Sequence, residues 1–169
     1  MGNKGINRIG TALLRLILRI GFISGEKGKT GKGVLARSNK SGIAKFSYRF
    51  DGTIGGNNFV YTVAEKDGAA VFACESMRRR DVGKAEMPVD KNVLERLYKA
   101  YLDLRLAAWN GYSRYNSRIR DGRGFSLSIR FRDGKELSAS GMNAFPARYG
   151  EFCERMGEIL DPLKDKLLK

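Results

Sequence analysis

The sequence contains no histidine. Histidine is the usual general base near neutral pH and the commonest metal ligand, so nucleophile sites of the Ser-His-Asp and Cys-His kinds are excluded. Cysteine is nearly absent too. The chain has only Cys74 and Cys153, and these two alone cannot complete a four-ligand zinc site. Both lie in apolar patterns, which indicates buried free thiols and a reducing compartment. With no convergent carboxylates either, we expect no metal, no cofactor and no enzymatic activity.

Acidic residues are also scarce. The chain has 18 Asp and Glu against 32 Lys and Arg, which gives a formal net charge of +14. The excess is concentrated in residues 1–50, where Glu26 is the one acid among eleven bases. A basic segment of this kind attracts polyanions such as nucleic acid or an anionic bilayer, and it can equally serve as a solubilising tail.

Uninterrupted apolar runs are missing as well. In residues 5–23 a helical period places Arg8, Arg15 and Arg19 on one face and aliphatic side chains over the rest. Residues 1–23 are therefore predicted to form a basic amphipathic helix, too short and too charged to span a bilayer. Three interpretations stay open. The helix contacts an anionic membrane surface or acidic protein through its arginines, packs on its own domain, or is the remnant of an export signal.

Residues 24–42 are rich in Gly, Lys and Ser and are predicted to form a flexible linker. They contain the string Gly28-Lys29-Thr30, but Ile23 stands where a P-loop needs glycine. A nucleotide site of the P-loop kind is therefore rejected here.

Residues 43–169 carry the patterns of a single folded domain. Alternating apolar and polar residues over 44–50 and 125–132 are typical of half-buried strands. Asp-Gly pairs between such runs indicate hairpins. Further strands are expected at 59–65, at 69–75, more weakly at 83–87, and around Leu137 and Ala139.

Two helices are expected in the same domain. The first runs from an N-cap at Asp90 to residue 109, and residues 111–124 are expected to be a loop. The last helix has Pro146 in its first turn and should end or kink just before Pro162. The order β-β-β-(β)-α-β-β-α predicts an α+β fold, a mostly antiparallel sheet with two helices on one face.

An arginine-rich segment is the first candidate binding surface. Residues 112–123 interleave arginines with tyrosines, side chains that pair with phosphates and stack on bases. The alternative is a solvated loop. The candidate phosphate or nucleic-acid contacts are Arg114, Tyr115, Arg118, Arg120 and Arg123.

Two other basic clusters are candidate binding surfaces, and an ordinary solvated surface is the alternative for each. Residues 78–80 are three consecutive arginines, which also suit an ordinary turn. The second cluster is the outward face of strands 44–50 and 125–132, which forms one basic, hydroxyl-rich surface if the two strands are neighbours. Its residues are Lys45, Ser47, Arg49, Ser126, Ser128, Arg130 and Arg132.

Residues 125–152 read FSLSIRFRDGKELSASGMNAFPARYGEF. This segment resembles the C-terminal part of small uncharacterised bacterial α+β domains, where a strand–Asp-Gly–strand hairpin leads into a Ser-Gly-x-Asn-x-(Phe/Tyr)-Pro turn and a final helix. The matching residues are Asp133, Gly134, Ser140, Gly141, Asn143, Phe145 and Pro146. The resemblance implies a structural motif and no particular activity. Similar proteins include lipoproteins and secreted proteins, whereas no lipobox cysteine lies near this N-terminus.

One functional expectation and one main alternative follow, with a third class, an enzyme without histidine, left open. We expect a cytoplasmic, non-enzymatic binding domain whose basic arm contacts an acidic surface, either a membrane or a protein partner, with peripheral membrane attachment and export left open. The alternative is a nucleic-acid-binding protein that uses residues 114–123 and the basic sheet face. Under either interpretation, the sequence does not predict the oligomeric state of the protein.

Overall fold

The computed structural model describes residues 42–52, 58–76, 84–119 and 122–169. Within these ranges the protein has the predicted α+β architecture. The elements are β1 (Ile43–Asp51), β2 (Phe59–Lys66), β3 (Ala69–Ser76), β4 (Ala85–Val89), α1 (Asn92–Asp103), a 3₁₀ turn (Leu106–Trp109), β5 (Tyr112–Tyr115), β6 (Gly124–Phe131), β7 (Glu136–Met142) and α2 (Tyr149–Leu167). The predicted helix at 1–23, the linker at 24–42 apart from Gly42, and the arginines at 78–80 lie outside the described residues.

The described strands form one sheet in the order β4-β3-β2-β1-β6-β7-β5. Neighbouring strands are antiparallel except for β5, which runs parallel to β7. The β2–β3 hairpin turns at Asp67 and Gly68, which both have positive φ values of 50° and 78°. This is the backbone conformation for which an Asp-Gly pair is favoured in a two-residue hairpin.

The core lies between one face of the sheet and the two helices. Alternate strand residues point into it, and the apolar stripe of α2 meets them as predicted, with Phe152, Met156 and Leu160 buried. An edge-to-face contact joins Phe152 to Tyr48 of β1, with ring centroids 5.0 Å apart. Among the described residues, the largest fully buried side chains are Phe46, Phe72, Phe152, Ile43, Leu94, Leu97, Leu106, Leu127, Ile129, Met156, Leu160 and Val63.

The first helix is shorter than predicted. It ends at Asp103, and Arg105 then takes a left-handed conformation with φ of 55° before the 3₁₀ turn. In a continuous helix Leu104 and Leu106 would point about 200° apart, so both could not face one sheet. The break at Arg105 lets both of them, and Trp109, be buried.

The last helix does not end just before Pro162, as one form of the prediction had it, because α2 continues to Leu167. Proline lacks an N–H, so the carbonyl of Glu158 has no helical donor. Arg96 of α1 donates from Nη2 to that carbonyl at 3.3 Å. A tertiary contact thus replaces the missing helical bond. Pro146 also differs from prediction, since it precedes α2 and its carbonyl accepts the N–H of Tyr149 at 3.3 Å.

The two ends of the sheet were predicted unequally well. The weak strand is present as β4, and its Pro88 is tolerated because β4 is an edge strand. The expected loop at 111–124 is wrong in part, because Tyr112–Tyr115 forms the other edge strand, β5. Its parallel pairing depends on β7, which follows later in the chain, so local sequence alternation carried no sign of it.

Candidate functional site

The face of the sheet turned away from the helices carries two rows of hydroxyl side chains. Cross-strand partners project from the same face of a sheet, so the strand register places them in line. One row crosses β2, β1, β6 and β7, and the other crosses β6, β7 and β5. We call these seven residues the hydroxyl face: Thr62, Ser47, Ser128 and Ser138 in the first row, and Ser126, Ser140 and Ser113 in the second.

These hydroxyl groups are available to a ligand. Ser47 Oγ and Thr62 Oγ1 lie 3.4 Å apart, a long hydrogen bond. The other five serines make no side-chain hydrogen bond to another described residue. Each hydroxyl can both donate and accept, and short side chains keep the surface flat. The sequence indicates only three of these serines, those on β1 and β6. The alternation of Ser138 and Ser140 in the sequence was a signal for the two serines of β7.

Basic residues border the hydroxyl face at one end. Lys45 of β1 lies directly opposite Arg130 of β6, so the condition that these strands be neighbours is met. Like charges directly opposite one another destabilise a sheet. Glu136 is opposite Arg130 on its other side, but neither Lys45 nor Arg130 forms an ion pair with a described residue. An anion bound between Lys45 and Arg130 would relieve their repulsion.

Two further basic residues of this face, Arg49 and Arg132, are already paired. Arg49 Nε donates to Asp51 Oδ1 at 2.8 Å, and Arg132 forms an ion pair with Glu65, with Nε 3.3 Å from Oε2. Toward β3 and β4 the same face carries acids rather than bases, at Glu75 and Glu86. Unpaired positive charge on the described face therefore lies at Lys45 and Arg130, and also at Lys66, which is opposite Ala69 at the end of β2 and forms no ion pair with a described residue.

The structure divides the arginine-rich segment between two faces. Tyr115 follows Ser113 in the alternation of β5 and lies opposite Met142 on the hydroxyl side, and the residue is 71% exposed. Arg114 alternates toward the helix side. Arg118, in the turn after β5, and Arg123, just before β6, are exposed. Arg120 lies outside the described residues, as do Arg8, Arg15 and Arg19 of the arm.

Asn143 holds the turn that carries Arg118. Its Nδ2 donates to the carbonyl of Ile119 at 3.0 Å, and its backbone N–H donates to the carbonyl of Arg123 at 2.8 Å. Asn143 has a φ of 56°, a left-handed conformation that Asn tolerates better than most residues. A side chain at Gly122 would collide with the Asn143 amide. The Asn of the Ser-Gly-x-Asn motif therefore positions the segment.

Two further residues of the motif, Gly141 and Phe145, are also structural. A Cβ at Gly141 would collide with the carbonyl of Ala144 and the ring of Phe125, so only glycine fits. Phe145 stacks on Tyr149 with ring centroids 4.5 Å apart, just before α2. Gly141, Asn143 and Phe145 thus have roles in packing or turning the chain, whereas Ser140 lies on the hydroxyl face.

Other site types find no support among the described residues. No three Cys, Asp or Glu side chains there are grouped so as to hold a metal ion, and Glu151, Glu154 and Glu158 are exposed on α2, as expected for its solvent face. Cys74 is buried and Cys153 half-buried, both as free thiols. No helix in the described ranges is long and apolar enough to cross a membrane.

Comparison of the chain with protein-family models, with curated proteins and with solved structures finds no match. The resemblance to small bacterial α+β domains therefore stays a prediction.

Proposed function

We propose that this protein acts by binding rather than catalysis, and that its hydroxyl face binds single-stranded nucleic acid. The observation that carries the proposal is the strand register. It sets the unpaired bases Lys45 and Arg130 at one end of the face, the exposed ring of Tyr115 at the other, and two rows of hydroxyls between them.

The dimensions and chemistry suit a short length of one strand. Rows two residues apart along a strand are separated by about 6.8 Å and neighbouring strands by about 4.8 Å, so Lys45 and Tyr115 lie about 20 Å apart along the strands and about 25 Å apart in all. Cations pair with phosphates, hydroxyls bond to phosphate and sugar oxygens, and an exposed tyrosine stacks on a base. A duplex fits less well, because a flat sheet presents neither a helix nor a narrow ribbon to a groove.

Overall charge favours the same kind of partner. Residues 43–169 contain 23 Lys and Arg against 17 Asp and Glu, and the preceding arm is more basic still. Such an excess steers polyanions toward the protein at long range. The arm adds affinity without sequence preference, and the face adds the geometry of a single strand.

The test uses the full chain and a fluorescein-labelled oligo(U) strand, with anisotropy measured over a series of salt concentrations. Replacement of Lys45 and Arg130 together by Gln should reduce the slope of log K against log salt by about 1.4, since each phosphate contact to a single strand contributes about 0.7. The matched control replaces Lys91 and Lys169, exposed bases of the helical layer, by Gln and should leave the slope nearly unchanged.

A third variant separates the face from the arm. If replacing Arg8, Arg15 and Arg19 by Gln abolishes binding while the Lys45/Arg130 variant binds like wild type, the face is not the site. Vesicles rich in phosphatidylserine provide the remaining comparison. Binding to these vesicles without binding to the oligonucleotide would replace the nucleic-acid proposal by contact with an anionic membrane surface.

A further inference from the structure

A cleft opens on the helix side of the sheet, opposite the hydroxyl face. It lies between β1, β2 and α2 and has a volume of about 270 Å³. A cavity of about 150 Å³ holds a benzene molecule, so this space accommodates two fused rings. Its floor is aromatic, formed by Tyr48 and Phe50 of β1 with Phe59 and Tyr61 of β2.

A glycine in α2 makes room for the cleft. Gly157 lines it, and a Cβ added there would meet only Asp161 Oδ2, at the ordinary contact distance of 3.4 Å. Glycine within a helix costs about 1 kcal/mol relative to alanine. A side chain at position 157 would clash with no neighbour, so packing does not require glycine there. Gly157 therefore weakens the helix while it keeps this space open.

The polar groups of the cleft leave one strong acceptor free. Asp161 Oδ1 accepts the hydroxyl of Tyr61 at 3.0 Å and Lys164 Nζ at 3.2 Å. Burial, and next the nearby Asp161 carboxylate, raise the pKa of Tyr61, so this hydroxyl stays protonated and remains a donor. Asp161 Oδ2 accepts no hydrogen bond from a described residue.

Among the described residues that line the cleft, Lys164 is the one cation, and it is already engaged. Besides Asp161, Lys164 Nζ lies 3.9 Å from Asp165 and 5.3 Å from the centre of the Phe59 ring. Phe59 and Tyr61 are stacked, with an angle of 8° between their planes. The arrangement offers flat rings to an aromatic body and a carboxylate oxygen to a donor, whereas an anionic group would meet the Asp161 carboxylate.

We infer that this cleft binds a small aromatic amine, with its rings over the β1–β2 aromatic floor and its ammonium group donating to Asp161 Oδ2. The site is separate from the hydroxyl face and does not depend on nucleic-acid binding. Both parts of the ligand are recognised. The rings bury apolar surface against the aromatic side chains, and the ammonium group pairs with the carboxylate charge.

The experiment compares three ligands with one ring system: tryptamine, indole and indole-3-propionate. Each is titrated into the full chain, and backbone amide shifts are followed by NMR. Tryptamine should bind most tightly and indole-3-propionate most weakly, with shift changes concentrated in β1, β2 and α2. Failure of tryptamine to bind, or tighter binding of the anion, would overturn the inference.

Variants locate the site. Gly157→Leu should fill the cleft and abolish tryptamine shifts, whereas Gly150→Leu, on the same helix with open space around it, should not. Neither variant should lower the melting temperature, because both replace a helical glycine. Tryptamine binding unchanged in Gly157→Leu would refute the assignment to this cleft.

A carboxylate variant tests recognition of the amine without altering the cleft's volume. Asp161→Asn should reduce the preference for tryptamine over indole-3-propionate about tenfold, as expected for loss of a hydrogen bond between charged groups. Glu154→Gln makes the same change of charge at an exposed position of α2 and should keep the preference. A preference retained in Asp161→Asn would contradict the role given to this carboxylate.

Discussion

Asn143 offers a direct test of how the arginine-rich segment is held. Two contributions are expected at this position. The Nδ2 bond to the carbonyl of Ile119, at 3.0 Å, is of ordinary strength and contributes about 1 kcal/mol net. The second contact of Nδ2, with the carbonyl of Asn116 at 3.5 Å, is too long to add much. Because the backbone at this position is left-handed, a replacement that has a Cβ but no polar side chain to hydrogen-bond locally loses additional stability.

Two substitutions separate these contributions. Asn143→Gly loses the side-chain bond but adopts φ of 56° without strain, so unfolding should become easier by about 1–2 kcal/mol. Asn143→Ala loses the same bond and also strains the backbone. It should therefore be less stable than the glycine variant by about 1 kcal/mol, after allowance for the greater freedom of glycine in the unfolded chain.

Urea unfolding measures both values, because Trp109 is the one tryptophan of the chain and is buried in the core. Its indole N–H donates to the carbonyl of Ala147 at 3.2 Å, so unfolding should shift its emission. Asn92→Ala, at an exposed asparagine of α1, is the control and should not destabilise. Equal midpoints for Asn143→Ala and wild type would refute the anchor, and equal destabilisation by Ala and Gly would refute the backbone argument.

Two further predictions concern the helical layer. Leu160→Ala should lower the free energy of unfolding by about 2–5 kcal/mol, because Leu160 is fully buried and its removal leaves a cavity; an unchanged urea midpoint would contradict its place in the core. In the wild type, the hydrogen bonds that Arg148 donates to Glu151 lower the pKa of this carboxyl group. Arg148→Gln should therefore raise the pKa of Glu151. The contribution of this pair to stability is present above the ordinary Glu pKa and is lost as pH falls through the lowered value; an NMR titration of Glu151 that does not respond to Arg148→Gln would contradict the pairing.

Local patterns in the sequence predict the fold where each element specifies itself. The strict alternation of β1 and β6 and the apolar stripe of α2 define strands, a helix and their inward faces without knowledge of the partner. The helix break at Arg105 and the continuation past Pro162 depend on tertiary contacts, namely the burial of Leu106 and the bond from Arg96. These contacts cannot be recognised from local propensity.

The candidate sites also differ in whether local sequence patterns predict them or tertiary contacts create them. The basic sheet face was predictable only on the condition that β1 and β6 pair, because nothing local joins residues so far apart in the chain. The cleft was not predicted at all. Tyr48, Tyr61 and Cys153 read as core residues, and only the packing of α2 against β1 and β2 shows that Gly157 leaves space between them.

The edges of the sheet limit how another chain could attach to this domain. A β-strand added in trans needs a free row of backbone donors and acceptors along an edge. β4 has five residues, and its Pro88 has no N–H to offer. β5 has four residues and carries Arg114 and Tyr115, both exposed. Short edges of this kind discourage strand-to-strand aggregation, so the domain can expose a broad flat face to solvent with little risk of growing into a larger sheet.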